Sequence, residues 1–103
     1  MLLFPLLVIA ANLFGVWFMY YIIVVFRSRN QTARMFDVFR SYGINCDIIN
    51  TPRQANVGCG LSLRISENDL YNARVVVNKH PQSSFVGFFK VYANGKIFLL
   101  KRV

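Results

Sequence analysis

The chain has 103 residues, enough for one domain with a modest core and too few for two. Twelve Lys and Arg against four Asp and Glu give a formal net charge of +8, which favours anionic partners such as phosphates, nucleic acid or anionic lipid. Two cysteines and one histidine exclude a disulfide scaffold and an unaided four-ligand zinc site, so a reducing cytoplasmic setting fits best.

The N-terminal part of the chain carries no charged residue before Arg27, and an apolar run of this length normally indicates a transmembrane helix. Its last seven residues, from Tyr20 to Phe26, are β-branched and aromatic and are also the best strand candidate in the chain. If this stretch is a central strand, residues 1–18 remain as an apolar leader, followed by a folded domain over residues 19–103.

Two interpretations of the leader stay open. As a short membrane anchor, it is followed by Arg27, Arg29 and Arg34, which by the positive-inside rule hold the domain on the cytoplasmic face of the inner membrane. Alternatively, Met19 is the true translation start and the domain is soluble in the cytoplasm.

The elements that follow alternate between helical and strand periodicities. Ser28 or Asn30 can cap a first helix, which Gly43 ends and whose apolar side chains share one face. That face consists of Met35, Phe36, Phe39 and Tyr42. Residues 44–50 predict a second strand, and residues 61–65 predict a third strand that alternates apolar with polar side chains.

The C-terminal third predicts one more helix and two more strands. Ser66 and Asp69 form a capping signature for the second helix, which Pro81 ends. Strands over residues 85–92 and 97–102 flank an Asn-Gly hairpin signal. The order β-α-β-β-α-β plus a terminal strand predicts an α+β fold of the ferredoxin-like class, a split βαβ sandwich with both helices on one face of an antiparallel sheet.

The segment between the second and third strands places one cysteine between two glycines and two arginines. Gly58 and Gly60 let the backbone turn sharply and leave the Cys59 thiol uncrowded. If the loop folds back, Arg53 and Arg64 favour the thiolate over the thiol. This pattern is typical of a reactive sulfur.

This segment and its surroundings resemble a small bacterial family of selenium/sulfur carrier-like proteins. The resemblance runs over about residues 19–89, and its most specific part is the order Thr51-Pro52-Arg53, a short loop, Cys59-Gly60 and an alternating apolar strand. It points to the same fold and implies transport of a chalcogen atom on a cysteine. Donor and acceptor proteins for sulfur or selenium are then the expected partners, with no cofactor or metal and no enzymatic activity of the chain itself.

Within this interpretation, Cys59 holds sulfur or selenium as a persulfide or perselenide. Arg53 and Arg64 stabilise the anion, and the amides near Gly58 and Gly60 form a nest for it. Cys46 is expected to be a core residue of the second strand, with an alternative role as a resolving thiol that releases the cargo by forming a disulfide.

Two other function classes remain to be weighed. A non-catalytic module that binds a small anion such as phosphate or carboxylate is the closer rival, because Arg53, Arg64 and the glycine loop suit such an anion equally well. RNA binding has less support, since Ser62 and Arg64 replace the aromatic residues that stack bases on central strands. The chain's four carboxylates form no convincing acid/base pair for hydrolytic chemistry.

Overall fold

A computed structural model of the chain describes residues 18–53, 57–94 and 97–103, and the side chains of residues 20–53, 57–92 and 101–103. The described elements are β1 (Phe18–Phe26), α1 (Arg29–Ser41), β2 (Cys46–Asn50), β3 (Leu61–Ile65), α2 (Leu70–Lys79), β4 (Phe85–Asn94) and β5 (Ile97–Arg102). Apart from Phe18, the predicted leader lies outside the described residues. No helix in the described ranges is long and apolar enough to cross a membrane.

The five strands form one antiparallel sheet in the order β2-β3-β1-β4-β5. Val24 of β1 pairs with Leu63 on one side and with Phe88 on the other. The first strand is therefore central, and the predicted α+β class, with an antiparallel sheet and two helices, is confirmed.

The predicted ends of α1 are confirmed by its caps. The Ser28 hydroxyl accepts a hydrogen bond from the Gln31 amide at 3.2 Å, so Ser28 rather than Asn30 is the N-cap. Gly43 follows the C-cap with φ +79°, a left-handed conformation that favours glycine. Tyr42, which the spacing predicts on the apolar face, is instead 48% exposed because it lies past the last helical turn.

Ser66, predicted to cap α2 directly, instead caps a short turn that precedes the helix. The Ser66 hydroxyl accepts from the Asn68 amide at 3.2 Å and caps a single 3-10 turn, Glu67–Asp69. The α-helix proper then starts at Leu70, and it buries Ala73, Val76 and Val77 against the sheet.

Both faces of the sheet are buried at its centre. Ile22, Val24 and Phe26 of β1 point to the face that both helices cover, where they pack with Met35 and Phe39. Alternate β1 residues point to the other face, where a second cluster forms, consisting of Ile23, Val25, Phe89 and Val91. Strand β1 is buried on both sides because these two clusters meet at its backbone.

The loops and turns that connect the strands and helices lie at two opposite ends of the sheet. The end of β1, the start of α1 and the β2–β3 loop meet at one end, here called the cysteine end. The start of β2, the end of β3 and the 3-10 turn meet at the other, here called the groove end.

Candidate functional site

The loop between β2 and β3 is tied to the end of β1 by its backbone. The Cys59 amide donates to the Phe26 carbonyl at 3.3 Å, and the Thr51 amide donates to the Gly60 carbonyl at 2.8 Å. These two bonds close the loop and fix the position of Cys59 at the cysteine end.

Glycine is required at positions 58 and 60 for different structural reasons. Gly58 has φ +72°, and a Cβ there would lie 2.5 Å from Val25 Cγ1 and 2.8 Å from the Phe26 carbonyl oxygen. Gly60 has φ +92° but open space where a Cβ would be. Gly58 therefore allows the loop to press against β1, whereas Gly60 serves only the turn.

Cys59 is partly exposed, and its sulfur lies between the loop and α1. Its Sγ atom lies 3.8 Å from Thr32 Oγ1 and 3.6 Å from the Leu61 carbonyl oxygen. The Thr32 hydroxyl donates to the Ser28 carbonyl at 2.9 Å, so it is held in place. The sulfur thus lies beside Thr32 near the start of α1, and its S–H donates to the Leu61 carbonyl.

Thr32 is the site residue that the sequence analysis does not identify. It is 1% exposed and precedes Met35 and Phe39 by three and seven residues, so it shares their buried face of α1. A hydroxyl residue on an otherwise apolar helix face is the sequence feature that could have indicated Thr32. Its partner Cys59, however, is 27 residues away in the chain, and only the fold brings the two together.

The two predicted site arginines, Arg53 and Arg64, lie in different surroundings. Arg53 lines a small cleft of about 220 Å³ together with Gly58 and Gly60, and Cys59 is not among the residues that line it. Arg64 donates to a carboxylate oxygen of Asp47 at 2.7 Å, and its guanidinium lies 5.8 Å from the centre of the Tyr21 ring.

Arg64 is not brought to Cys59. Its neighbours Leu63 and Ile65 belong to the core under the helices, so Arg64 points to the opposite face of the sheet. The Cys59 sulfur, in contrast, contacts Thr32 on the helix side. Arg64 therefore lies on the other side of the sheet from the sulfur.

Cys46 is also separated from Cys59. It is 5% exposed and pairs with Ile65 at the groove end, whereas Asn50 at the other end of β2 pairs with Leu61 beside the cysteine loop. Four residues of strand span about 13 Å, well beyond the Cα separation of about 7 Å that a disulfide tolerates. Both cysteines are free, and the fold does not place Cys46 where it can resolve a bond at Cys59.

The surroundings of Cys46 keep it a thiol. Burial raises the pKa of the Cys46 thiol, and the positive charge of Arg40 opposes this shift only in part. Its sulfur donates weakly to the Phe36 carbonyl at 3.8 Å. Cys46 therefore has the environment of a core residue.

The groove end carries a larger concavity of about 700 Å³, and Cys59 is not among the residues that line it. Two cations and two carboxylates line it, namely Arg40, Arg64, Asp47 and Asp69. Among the described residues, no group of three or more His, Cys, Asp or Glu side chains is placed to hold a metal ion.

A family model described as "Putative Se/S carrier protein-like" matches residues 20–83, well over half of the chain. The chain belongs to this family. The matched segment begins in β1, ends before β4 and contains the whole cysteine loop. The family assignment made from the residues around Cys59 is confirmed. No curated protein and no solved structure matches the chain.

Proposed function

We propose that this Se/S carrier-like protein holds sulfur or selenium on Cys59 as a persulfide or perselenide and passes it to a partner protein. The observation that carries the proposal is the setting of Cys59 inside the matched segment. Its backbone is anchored to β1, and its sulfur lies beside the first turn of α1. The Cys59 backbone is thus held in one place, and the residue is partly exposed.

The proposed loading step is an exchange without net oxidation. The Cys59 thiolate attacks the terminal sulfur of a donor protein's persulfide, a new S–S bond forms on Cys59, and the donor's S–S bond breaks to release its thiolate. In delivery, an acceptor thiolate attacks the same terminal sulfur and Cys59 leaves as a thiolate. No cofactor is needed for either step, and the chain acts as a carrier rather than an enzyme.

Arg53 and the loop backbone support the anionic persulfide. Arg53 is an exposed cation in the same loop as Cys59, and its guanidinium supplies the positive charge in this proposal. Arg64 and Cys46 have no part in this proposal, because they lie on the other face and at the other end of the sheet respectively. The chemistry requires a reduced thiol, which agrees with a domain in the cytoplasm.

We further assign the fold to the ferredoxin-like class. Strand β3 lies between β1 and β2, as a split βαβ unit requires, and β4 lies on the outer side of β1. Strand β5 extends this arrangement at the edge next to β4.

The test is the intact mass of the full chain after incubation with a cysteine desulfurase and L-cysteine, with excess donor removed under anaerobic conditions. The proposal predicts the gain of one sulfur in the wild type and in Cys46→Ala, and no gain in Cys59→Ser. Equal gains in wild type and Cys59→Ser, or no gain in the wild type, would contradict it. A parallel incubation with selenide and a thiol-disulfide oxidant tests selenium loading.

A non-catalytic module for a small anion is the second candidate, favoured by the same cleft next to Arg53. Cys59→Ser separates the two functions because it keeps the cleft and removes the nucleophile. A carrier loses all loading in this variant, whereas an anion-binding module retains its affinity for inorganic phosphate in isothermal titration.

A further inference from the structure

The charged residues of the chain are distributed unevenly between the two ends of the sheet. Three of the four carboxylates lie at the groove end, in β2 and the 3-10 turn, namely Asp47, Glu67 and Asp69. The fourth, Asp37, lies in the second half of α1. No acidic side chain of the sequence therefore lies at the cysteine end.

The cysteine end instead carries three exposed arginines on the segments that meet there. Arg27 follows Phe26, whose carbonyl binds the Cys59 amide, and Arg29 begins α1, whose first turn contacts the Cys59 sulfur. Arg53 lies in the same loop as Cys59. All three arginines are exposed, and within the described residues the two salt bridges use other cations, Arg64 and Lys90.

The position of Arg29 is not explained by helix stability. A cation in the first turn of a helix opposes the helix dipole and costs a few tenths of a kcal/mol. The first turn of α1 contains no acidic residue to offset this cost. A positive charge thus lies in the helix turn that contacts the sulfur through Thr32, although the helix itself would be more stable without it.

We propose, on the basis of the carrier function above, that the cysteine end is a docking surface for an acidic protein surface on the sulfur donor or acceptor. Arg27 and Arg29 steer a partner whose reactive cysteine is surrounded by carboxylates. Such steering raises association rates by about tenfold or more and weakens as salt screens the charges.

The arrangement favours a protein partner over a membrane. The uncharged N-terminal segment joins β1 at Phe18, at the opposite end of the strand from Phe26 and Cys59. Arg27 and Arg29 therefore lie at the other end of β1 from the point where the described chain begins.

The experiment uses the full chain with Cys46→Ala, so that Cys59 is the only thiol. It reacts with five-residue peptides whose central cysteine is activated as a mixed disulfide with an aromatic thiol. Four glutamates, four glutamines or four lysines flank that cysteine. Attack by the Cys59 thiolate joins Cys59 to the peptide and releases the aromatic thiolate, whose absorbance gives the second-order rate.

The rate with the glutamate peptide is expected to exceed that with the glutamine peptide by about tenfold at low salt, with the lysine peptide slowest. In Arg27→Gln/Arg29→Gln the ratio falls toward one. In the matched control Arg34→Gln/Arg40→Gln, which removes two exposed arginines further along the same helix, the ratio stays high. The use of a ratio removes any change in the intrinsic reactivity of the sulfur.

A ratio near one in the parent protein, or equal losses in the two double variants, overturns the docking proposal. The proposal is also overturned if the peptide ratio does not depend on Arg27 and Arg29 but binding to another anionic partner does. The two alternative partners tested are vesicles with 30% phosphatidylglycerol and a single-stranded oligonucleotide. Sulfur loading of Cys59 with no dependence on peptide charge would leave the carrier function standing and remove only the docking surface.

Discussion

The β2–β3 hairpin carries one cysteine at each end, and the two residues have opposite environments. Cys59 lies partly exposed in a glycine loop beside the start of α1, whereas Cys46 is buried under the helices in a regular strand. The same thiol is therefore presented in one place and packed as a small apolar side chain in the other. The difference arises from backbone context, since only the loop at Cys59 has glycines with positive φ on both sides.

The largest expected effect comes from adding one methyl group to the cysteine loop. Gly58→Ala combines a left-handed backbone with an overlap against Val25 and Phe26, and we expect it to lower the free energy of unfolding by about 3 kcal/mol or to displace the loop. Gly60→Ala has the same backbone strain without the overlap and is expected to cost about 1 kcal/mol. Urea denaturation of the two variants measures the difference. Equal costs would mean that the loop does not press on β1.

The next effect separates the two cysteines. Cys46→Ala leaves a small void in the core, and we expect a loss of about 1 to 2 kcal/mol in unfolding free energy with unchanged sulfur loading. Cys59→Ala should show the reverse, with a loss below about 1 kcal/mol and no loading, because its side chain is only half-buried. Paired denaturation and mass measurements check both. A stable, loading-deficient Cys46→Ala protein would contradict the distinction.

Alkaline pH gives a smaller effect that also reports on Cys46. Because burial raises the pKa of its thiol, the unfolded chain loses this proton at a lower pH than the folded chain does. Stability from this group is thus full below the ordinary thiol range and is lost as pH rises through the raised value. Unfolding free energy should fall with pH more steeply in the wild type than in Cys46→Ala. Tyr21, whose pKa burial also raises, contributes equally to both proteins.

The smallest effect distinguishes the two arginines. Arg64→Gln removes an exposed pair with Asp47 and should cost at most about 0.5 kcal/mol, without changing the rate of Cys59 loading. Arg53→Gln should leave stability unchanged and slow the loading by about threefold or more, because Arg53 is an exposed cation in the same loop as Cys59. Rates of persulfide formation decide between them. Slower loading in both variants would favour the grouping that the sequence predicts, and slower loading in Arg64→Gln alone would contradict the role proposed for Arg53.

The ends of α1 and the position of the cysteine loop could be predicted from local sequence signals. Ser28 and Gly43 mark the ends of α1, and the glycines on either side of Cys59 mark the loop, since caps and turns depend on residues close in the chain. The contact between Cys59 and Thr32 could not be predicted, because it requires the loop to fold over the start of a distant helix.

The grouping of Arg64 with Cys59 went beyond what local signals support. Alternation with Leu63 and Ile65 indicates that Arg64 faces away from the core, but its pairing with Asp47 depends on strand register. The proximity of Cys46 and Cys59 in sequence is also misleading. An antiparallel hairpin with the loop at one end moves the start of β2 to the other end.

The most direct test of the carrier account compares both cysteines within one molecule, so that fold, concentration and donor are the same for each. After incubation with desulfurase and L-cysteine, iodoacetamide caps all sulfurs, and trypsin, which cuts after Arg40, Arg53 and Arg64, places Cys46 in peptide 41–53 and Cys59 in peptide 54–64. The account predicts one extra sulfur in peptide 54–64 and none in peptide 41–53. An extra sulfur in peptide 41–53, or in neither peptide, would contradict it.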